Sequence, residues 1–396
     1  MGRRAPPAST GTLTIEVVDR ITAIDEQDWD RLLEDDDPPF MEWRFLASLE
    51  AAETLGEATG WLPRFVLVKK MGQLVAAAPT YVKLHSQGEF VFDHAWANLA
   101  AQLGVPYFPK LLVGIPFTPV TGRRLLTRPG EDRPALVQAL AEVLVQLAAS
   151  LECSSVHINF LTREESDLLA GVGYLPRLGL QYHWFRHDER DFDDYLRRFN
   201  SKRRNQLKRE LREVEAQGLE LVTIPGAVMT PALVETAFRL YLTTVEKFYW
   251  GRQYLNLRAF QEIVARMPDR FELVAAREKD GEIVAGAVNF QKGQKLYGRY
   301  WGAFRDVKHL HFNVCYYRGV EECFRRGLDV FEPGAGGEHK LVRGFEPTLT
   351  YSVHHLADPR LRGPIARHLI GERAAVERER EALLAETGGR QVELDA

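Results

Sequence analysis

Residues 271–291 read FELVAAREKDGEIVAGAVNFQ, and KLYGRYWGAF comes next at 295–304. Apolar residues recur through both ends of the first stretch, and Gly281 sits in the polar link between them. That pattern predicts a strand, a tight turn and a second strand, with a third at 295–304. The same plan occurs earlier. Residues 65–83 read FVLVKKMGQLVAAAPTYVK, with Gly72 at the turn, and EFVFDH (89–94) reads as the third strand. Two antiparallel meanders are therefore expected, one in each half of the chain.

The segments after the two meanders are also alike. After the first come a Pro- and Gly-rich stretch, a helix at about 134–150 with Pro134 near its first turn, and a strand with alternating Val156, Ile158 and Phe160. A short helix around 163–170 and GVGYLPRLGLQYHWF (171–185) close that half. After the second comes a helix at 312–326. Its Phe312, Cys315, Tyr316, Gly319, Val320, Cys323 and Phe324 recur at three- and four-residue steps, Gly327 is its stop, and the strand LDVFEP comes after it. This order predicts two α/β (α+β) units of similar design, each a mixed, mainly antiparallel sheet flanked by helices. The acidic stretch 187–194 marks the junction, giving units at 12–190 and 191–363 and a peripheral helical tail at 364–396.

The 396 residues carry 51 Lys and Arg against 55 Asp and Glu, a formal charge of −4, with 45% apolar and 27% charged residues. That balance belongs to soluble globular chains and excludes disordered and fibrous classes. A chain this neutral can meet nucleic acid only through a local patch. Three cysteines (Cys153, Cys315, Cys323) are too few for a disulfide framework and fit a reducing compartment. MGRRAPPASTGT has no apolar run behind its arginines, so it does not read as a signal peptide. The longest apolar run, 135–151, carries Gln138, Glu142 and Gln146 on one stripe, as a soluble helix does and a membrane span does not. A cytoplasmic protein with no membrane partner is expected.

Two stretches carry chemistry. Residues 197–212 hold eight Lys and Arg and one acid, Glu210. With Ser201 as N-cap, Leu207, Leu211 and Val214 form the buried side, and Arg204, Lys208 and Arg212 stand on an adjoining ridge. Three cations with no acid between them repel one another, so they read either as a seat for a phosphate-bearing ligand or as a solvated face. GAGGEHK (334–340) comes after an apolar strand and is expected at the carboxyl edge of the sheet, where open α/β sheets bind ligands. Gly336 and Gly337 let backbone N–H groups approach an anion, while Glu338, His339, Lys340 and Arg343 add a base, a titratable donor and two cations. Aminolysis of an acyl donor needs a group to take the amine proton and a positive field for the oxyanion. The alternative is a structural loop with surface charge.

Within RDVKHLHFN (305–313), His309, His311 and Asn313 either face the same cleft or are satisfied structural residues. Cys315 falls on the apolar stripe of its helix and reads as core. The histidines of the last third have no companion cluster at zinc-type spacing, so no metal is expected.

Three strands, a helix and a strand, closed by a GY…G segment at 173–179, resemble the GNAT acyltransferase fold. FNSKRRNQLKRELREVEAQGLELV (199–222) is similar to the basic helix and strand that open the second GNAT domain of Fem-type aminoacyl transferases. GAGGEHKLVRGFEPTLTYSVHHL (334–356) resembles the Lys-then-Phe loop and strand near their C-terminus. With GEFVFDHAWA, YFPKLLVGIPFTPVTGRRLL, HINF and HFNVCYY, most of the chain resembles the FemAB-like N-acyltransferase family.

The resemblance implies two tandem GNAT-like domains and transfer of an acyl or aminoacyl group from a phosphate-bearing donor to an amine. It implies aminoacyl-tRNA or acyl-CoA as co-substrate, with no tightly bound cofactor. Arg204, Lys208, Arg212 and Arg343 would meet donor phosphates. Lys340 and the Gly run would hold the oxyanion, and Glu338 or His339 would take the proton. Glu89, Asp93, His94, Arg123 and Arg124 would line an acceptor pocket between the units. GNAT enzymes bind the coenzyme A pyrophosphate on a Q/R-x-x-G-x-G/A turn, which RDVKHLHFN lacks, so aminoacyl-tRNA is favoured over acyl-CoA. Asn313 stands where the family more often has Glu. The competing expectation is a non-catalytic module that binds a nucleotide-linked or RNA ligand on a degenerate tandem fold.

Overall fold

The computed structural model describes residues 12–247 and 252–386. Its strands are β1 (Leu13–Val18), β2 (Trp61–Pro63), β3 (Phe65–Lys70), β4 (Gln73–Ala78), β5 (Thr80–Lys83), β6 (Lys110–Val113), β7 (Leu126–Thr127), β8 (Ser155–Leu161), β9 (Leu175–Phe185), β10 (Glu220–Pro225), β11 (Phe271–Arg277), β12 (Ile283–Lys292), β13 (Lys295–Ala303), β14 (Val330–Glu332) and β15 (Glu346–Leu356).

The second meander forms as its alternation predicts: β11, β12 and β13 pair antiparallel in order. β14 then joins β13 in parallel, after the helical segment 310–326. The first meander splits. β3 and β4 pair antiparallel in a four-stranded sheet with β1 and β7. Pro79, with no N–H to give a ladder, separates β4 from β5, and β5 continues in the large sheet. EFVFDH is not a strand. Gly88 and Phe90 take positive φ of 78° and 59°, which no ladder accommodates, and Glu89 and Asp93 turn inward onto Lys110. The third strand of this half is β5 instead.

The expected helices are present, with local causes. Asp132 caps Arg133–Ser150, with Pro134 in the first turn. Thr162 and Glu165 form a capping box on Arg163–Gly171. The basic helix Ser201–Glu215 is capped by Asn200, one residue before the predicted cap. The helix after β13 starts at Leu310, passes through a π turn at Asn313–Tyr317, and stops at Gly327, whose φ is 71°. The tail forms one helix, Pro359–Glu386, and buries Leu361, Ile365 and Leu369 beside Trp96 and Leu356. Residues 387–396 of the expected tail lie outside the described residues. Helices Trp43–Ala51, Pro231–Lys247 and Leu257–Arg266 join both halves in one core, where Phe40 and Phe45 meet Phe290 edge-on.

The large sheet runs β10-β11-β12-β13-β14-β9-β15-β8-β6-β5-β2. Its centre is an exchange. β9 ends the first half but pairs with β14 of the second. β15 ends the second half but lies between β8 and β9 of the first. Each half supplies the strand that the other half's sheet needs.

Candidate functional site

β13 and β14 pair only over Lys295–Tyr297 and Val330–Glu332. β14 then stops at Pro333, whereas β13 runs on to Ala303 with a bulge at Arg299, between the Asn289–Gly298 and Val288–Tyr300 pairs. Past Tyr297, no strand among the described residues pairs with that edge of β13. At its far end, Thr243 donates to the Leu240 carbonyl and accepts from Ala303 N–H, while Thr244 bonds the Trp301 carbonyl. The Gly run leaves β14 at this gap. Gly334 takes φ of 93°, and a Cβ there would stand 3.3 Å from the Gly298 carbonyl, so this crossing suits glycine.

A 3₁₀ turn over Glu338–Arg343 comes next and carries Lys340 back into the protein. Lys340 is 2% exposed, and its Nζ donates to the Gly334 carbonyl at 2.5 Å. An ammonium has three N–H groups, and Lys340 bonds no second acceptor among the described residues. Burial lowers its pKa to about 8. His339 is exposed at the mouth, with Nε2 2.8 Å from the Tyr316 hydroxyl and its ring against His311 and Phe312. His311 packs on Trp301 and Tyr316. Burial, with His339, Lys340 and Arg343 nearby, lowers its pKa to about 4 and keeps the ring neutral near pH 7. Lys340, His339, His311, Gly336 and Gly337 thus come together, with Glu338 exposed beside them.

Other expected ligand contacts face elsewhere. Arg343 is 4% exposed, and its three nitrogens are engaged inside the protein. Nη2 meets the Glu210 carboxylate at 3.0 and 3.2 Å, Nε the Tyr317 hydroxyl at 2.9 Å, and Nη1 the His339 carbonyl at 2.8 Å. The guanidinium also lies 3.4 Å from the Phe312 ring centroid. Arg343 therefore ties the loop to the basic helix. Asn313 is buried, its Nδ2 bonding the carbonyls of Glu210 at 3.1 Å and His309 at 3.0 Å.

Because Glu210 points at Arg343, helix geometry places Arg204, Lys208 and Arg212 roughly 120° to 160° around the axis from it. They form a separate ridge, unpaired with any acid among the described residues, and the structure does not bring them to Lys340. One hollow holding all four cations is not what forms.

Of the first-half candidates, His94 is exposed beside Phe92, and the other four point inward. Glu89 and Asp93 neutralise buried Lys110, Arg123 pairs with Glu34 and Asp37, and Arg124 binds the carbonyls of Val120, Gly122 and Asn159. Cys315 packs as core, and burial pushes its thiol far above the usual range.

The model of the FemAB-like family, described as peptidoglycan biosynthesis/recognition, matches residues 20–390. The chain belongs to that family. In fold, this FemAB-like protein is similar to the crystal structure of FemX, at TM-score 0.53 and 12% identity, over 89% of this chain and 100% of that one. It is also similar to L-PGS from Bacillus licheniformis, at TM-score 0.50 and 12% identity, over 87% and 98%. A tandem GNAT protein from the clavulanic acid biosynthesis pathway gives TM-score 0.48 and 13% identity, over 88% and 99%. At these identities the likeness is one of fold: mixed sheets flanked by helices. No curated protein matches the sequence. Among the described residues, no helix is long and apolar enough to cross a membrane.

One residue of this FemAB-like protein beside the loop is not singled out by sequence reasoning. Glu332 closes β14, is 7% exposed, and its Oε2 has no hydrogen-bond partner among the described residues. His183 Nε2, on β9, stands 3.9 Å away. The first-half loop 116–124 is strapped over this region, because Arg299 Nη2 bonds the Phe117 carbonyl at 2.7 Å and Gln181 Nε2 bonds the Pro119 carbonyl at 3.0 Å. Burial outweighs the nearby Lys295, Arg299 and Arg124 charges and raises the carboxyl pKa to about 7. The available signal is LDVFEP itself: a carboxylate that ends an apolar strand, with one proline between it and a glycine run.

Proposed function

We propose that this FemAB-like protein is an N-acyltransferase, moving an acyl or aminoacyl group from a phosphate-bearing donor to an amine. The observation that carries this reading is Lys340: a buried ammonium with one bond, set where β13 and β14 part. Holding such a group out of water is costly unless something anionic completes it. As an amine attacks the donor carbonyl, the carbonyl oxygen gains negative charge. Lys340 lies ready for it, beside the N–H groups of Gly336 and Gly337, which bond nothing among the described residues. A preorganised donor of this kind contributes about 10²–10³ in rate.

Aminoacyl-tRNA is favoured over acyl-CoA. The helix after β13 opens on His309, in the left-handed region at φ 66°, with Glu213 3.3 Å from its ring. No glycine turn opens that end to a pyrophosphate, whereas the ridge of half-buried Arg204 and exposed Lys208 and Arg212 suits a polyanion larger than a coenzyme. Either donor places the reaction in the cytoplasm.

The test is a thermal-shift comparison of coenzyme A, acetyl-CoA, and charged and uncharged tRNA, and then of Lys340→Ala. We expect charged tRNA to stabilise the protein and the variant to bind it but transfer nothing. If the wild type binds RNA without transfer, and Lys340→Ala loses binding in proportion, the protein is a binding module instead.

A further inference from the structure

In the N-acyltransferase reading, neither expected base, Glu338 or His339, is a free buried acceptor for the amine proton. Glu338 is exposed to solvent, and His339 has Nε2 engaged with the Tyr316 hydroxyl. Glu332 differs from both. It is the last residue that β14 pairs with β13, at the point where the strands part. The Gly334 carbonyl, two residues on, receives the Lys340 ammonium. Its carboxylate is buried between the sheet and the strapped 116–124 loop, and Oε2 meets no donor among the described residues. An unpaired carboxylate in such a place is costly to stability, so a role outside folding accounts for it better than packing does.

We propose that Glu332 is the catalytic base of this protein, taking the proton from the amine as it attacks; this rests on the transferase reading above. The amine nitrogen bonds to the donor's carbonyl carbon, and the bond from that carbon to the leaving oxygen or sulfur breaks. The proton leaves the nitrogen for Glu332 Oε2 and is then passed to the leaving group, so the carboxylate is restored each turnover.

The surroundings distinguish a base from a counter-ion. Lys295 and Arg299 face Glu332 from β13, Arg124 from the 116–124 loop, and His183 from β9, with the Tyr297 hydroxyl alongside. Three fixed cations repel an ammonium, so the place suits a neutral amine that gives up its proton on reaction. Burial holds His183 near pKa 3, so its ring adds no further charge at neutral pH. Burial likewise brings the carboxyl to about 7, which matches a base working near neutrality.

The experiment compares wild type, Glu332→Gln and Glu332→Asp in transfer from charged tRNA and from acetyl-CoA to ethanolamine between pH 5.5 and 9. Binding of charged tRNA is measured in parallel. Glu332→Gln is expected to lose about 10²–10⁴-fold in kcat, to lose the pH-rate limb near 7, and to keep donor affinity. Glu332→Asp should recover part of the rate and the limb. Melting curves should show both variants folded, and Glu332→Gln at least as stable as wild type. An active wild type with Glu332→Gln unchanged in rate and profile overturns this proposal and leaves the transferase reading standing. No transfer by wild type from either donor overturns both.

Discussion

Arg343 connects the glycine loop to the basic helix, and Arg343→Met measures that connection. The substitution keeps most of the side chain's length but removes the guanidinium from a pair whose side chains are 5% and 1% exposed. Glu210 would keep its bonds from the Tyr317 hydroxyl and Gln206 but lose both contacts to Arg343. Breaking a buried pair from one side costs about 3–5 kcal/mol, because the remaining charge stays buried. For a single core of this length, 1 kcal/mol moves Tm by about 1–2 °C, so a fall of roughly 3–10 °C is expected. Calorimetry on Arg343→Met, Glu210→Gln and the double variant completes the cycle. The double variant should cost clearly less than the sum of the singles, since it leaves no orphan charge. A Tm within about 2 °C of wild type, with donor binding weakened instead, would refute this account and return Arg343 to the ligand.

Acid should loosen the centre of the large sheet. His157 and His354 sit with Nδ1 atoms 2.7 Å apart between β8 and β15, and burial lowers both, His157 to about 3. Their folded pKa values lie below the ordinary 6.5, so the unfolded chain takes up protons first. Stability is therefore full above about pH 6.5 and falls as pH drops toward 3, by about 3 kcal/mol at pH 4.5 for His157 alone; a flat Tm over that range would refute it. Gly302→Ala should cost about 3 kcal/mol or more, because its Cβ would stand 1.7 Å from the Leu240 carbonyl oxygen. Gly371→Ala, in open space on the last helix, should gain about 0.5–1 kcal/mol, and urea melts separate the two. Replacing Arg204, Lys208 and Arg212 with glutamine should reduce the log–log salt slope of tRNA binding by about 2–3; an unchanged slope would make the ridge a solvated face.

The second meander and the helices around it are legible in the sequence because local chemistry sets them: alternation, Gly281, the Asp132 and Thr162 caps. The first meander is not, since EFVFDH alternates as a strand does and only its buried partner, Lys110, reveals that its acids turn inward. The exchange of β9 and β15 leaves no local mark, because a strand's neighbour is chosen by packing across the whole sheet. Lys340 is legible as a cation beside a glycine run. The basic helix is legible only in part: four-residue spacing identifies the ridge of Arg204, Lys208 and Arg212 but not what it faces. Glu210, the one acid there, looks like an interruption and is the anchor. Glu332 is hidden for a related reason, since an acid at a strand end ordinarily points to water.

The exchange has a consequence for synthesis. His354 is made 197 residues after the His157 it must meet. At about 5–20 residues per second, the slot between β8 and β9 stays open for roughly 10–40 s while the rest emerges from the ribosome. During that interval a nascent first half exposes two unfilled strand edges, the kind of surface that recruits stray chains. Only the emergence of β15 ends that exposure.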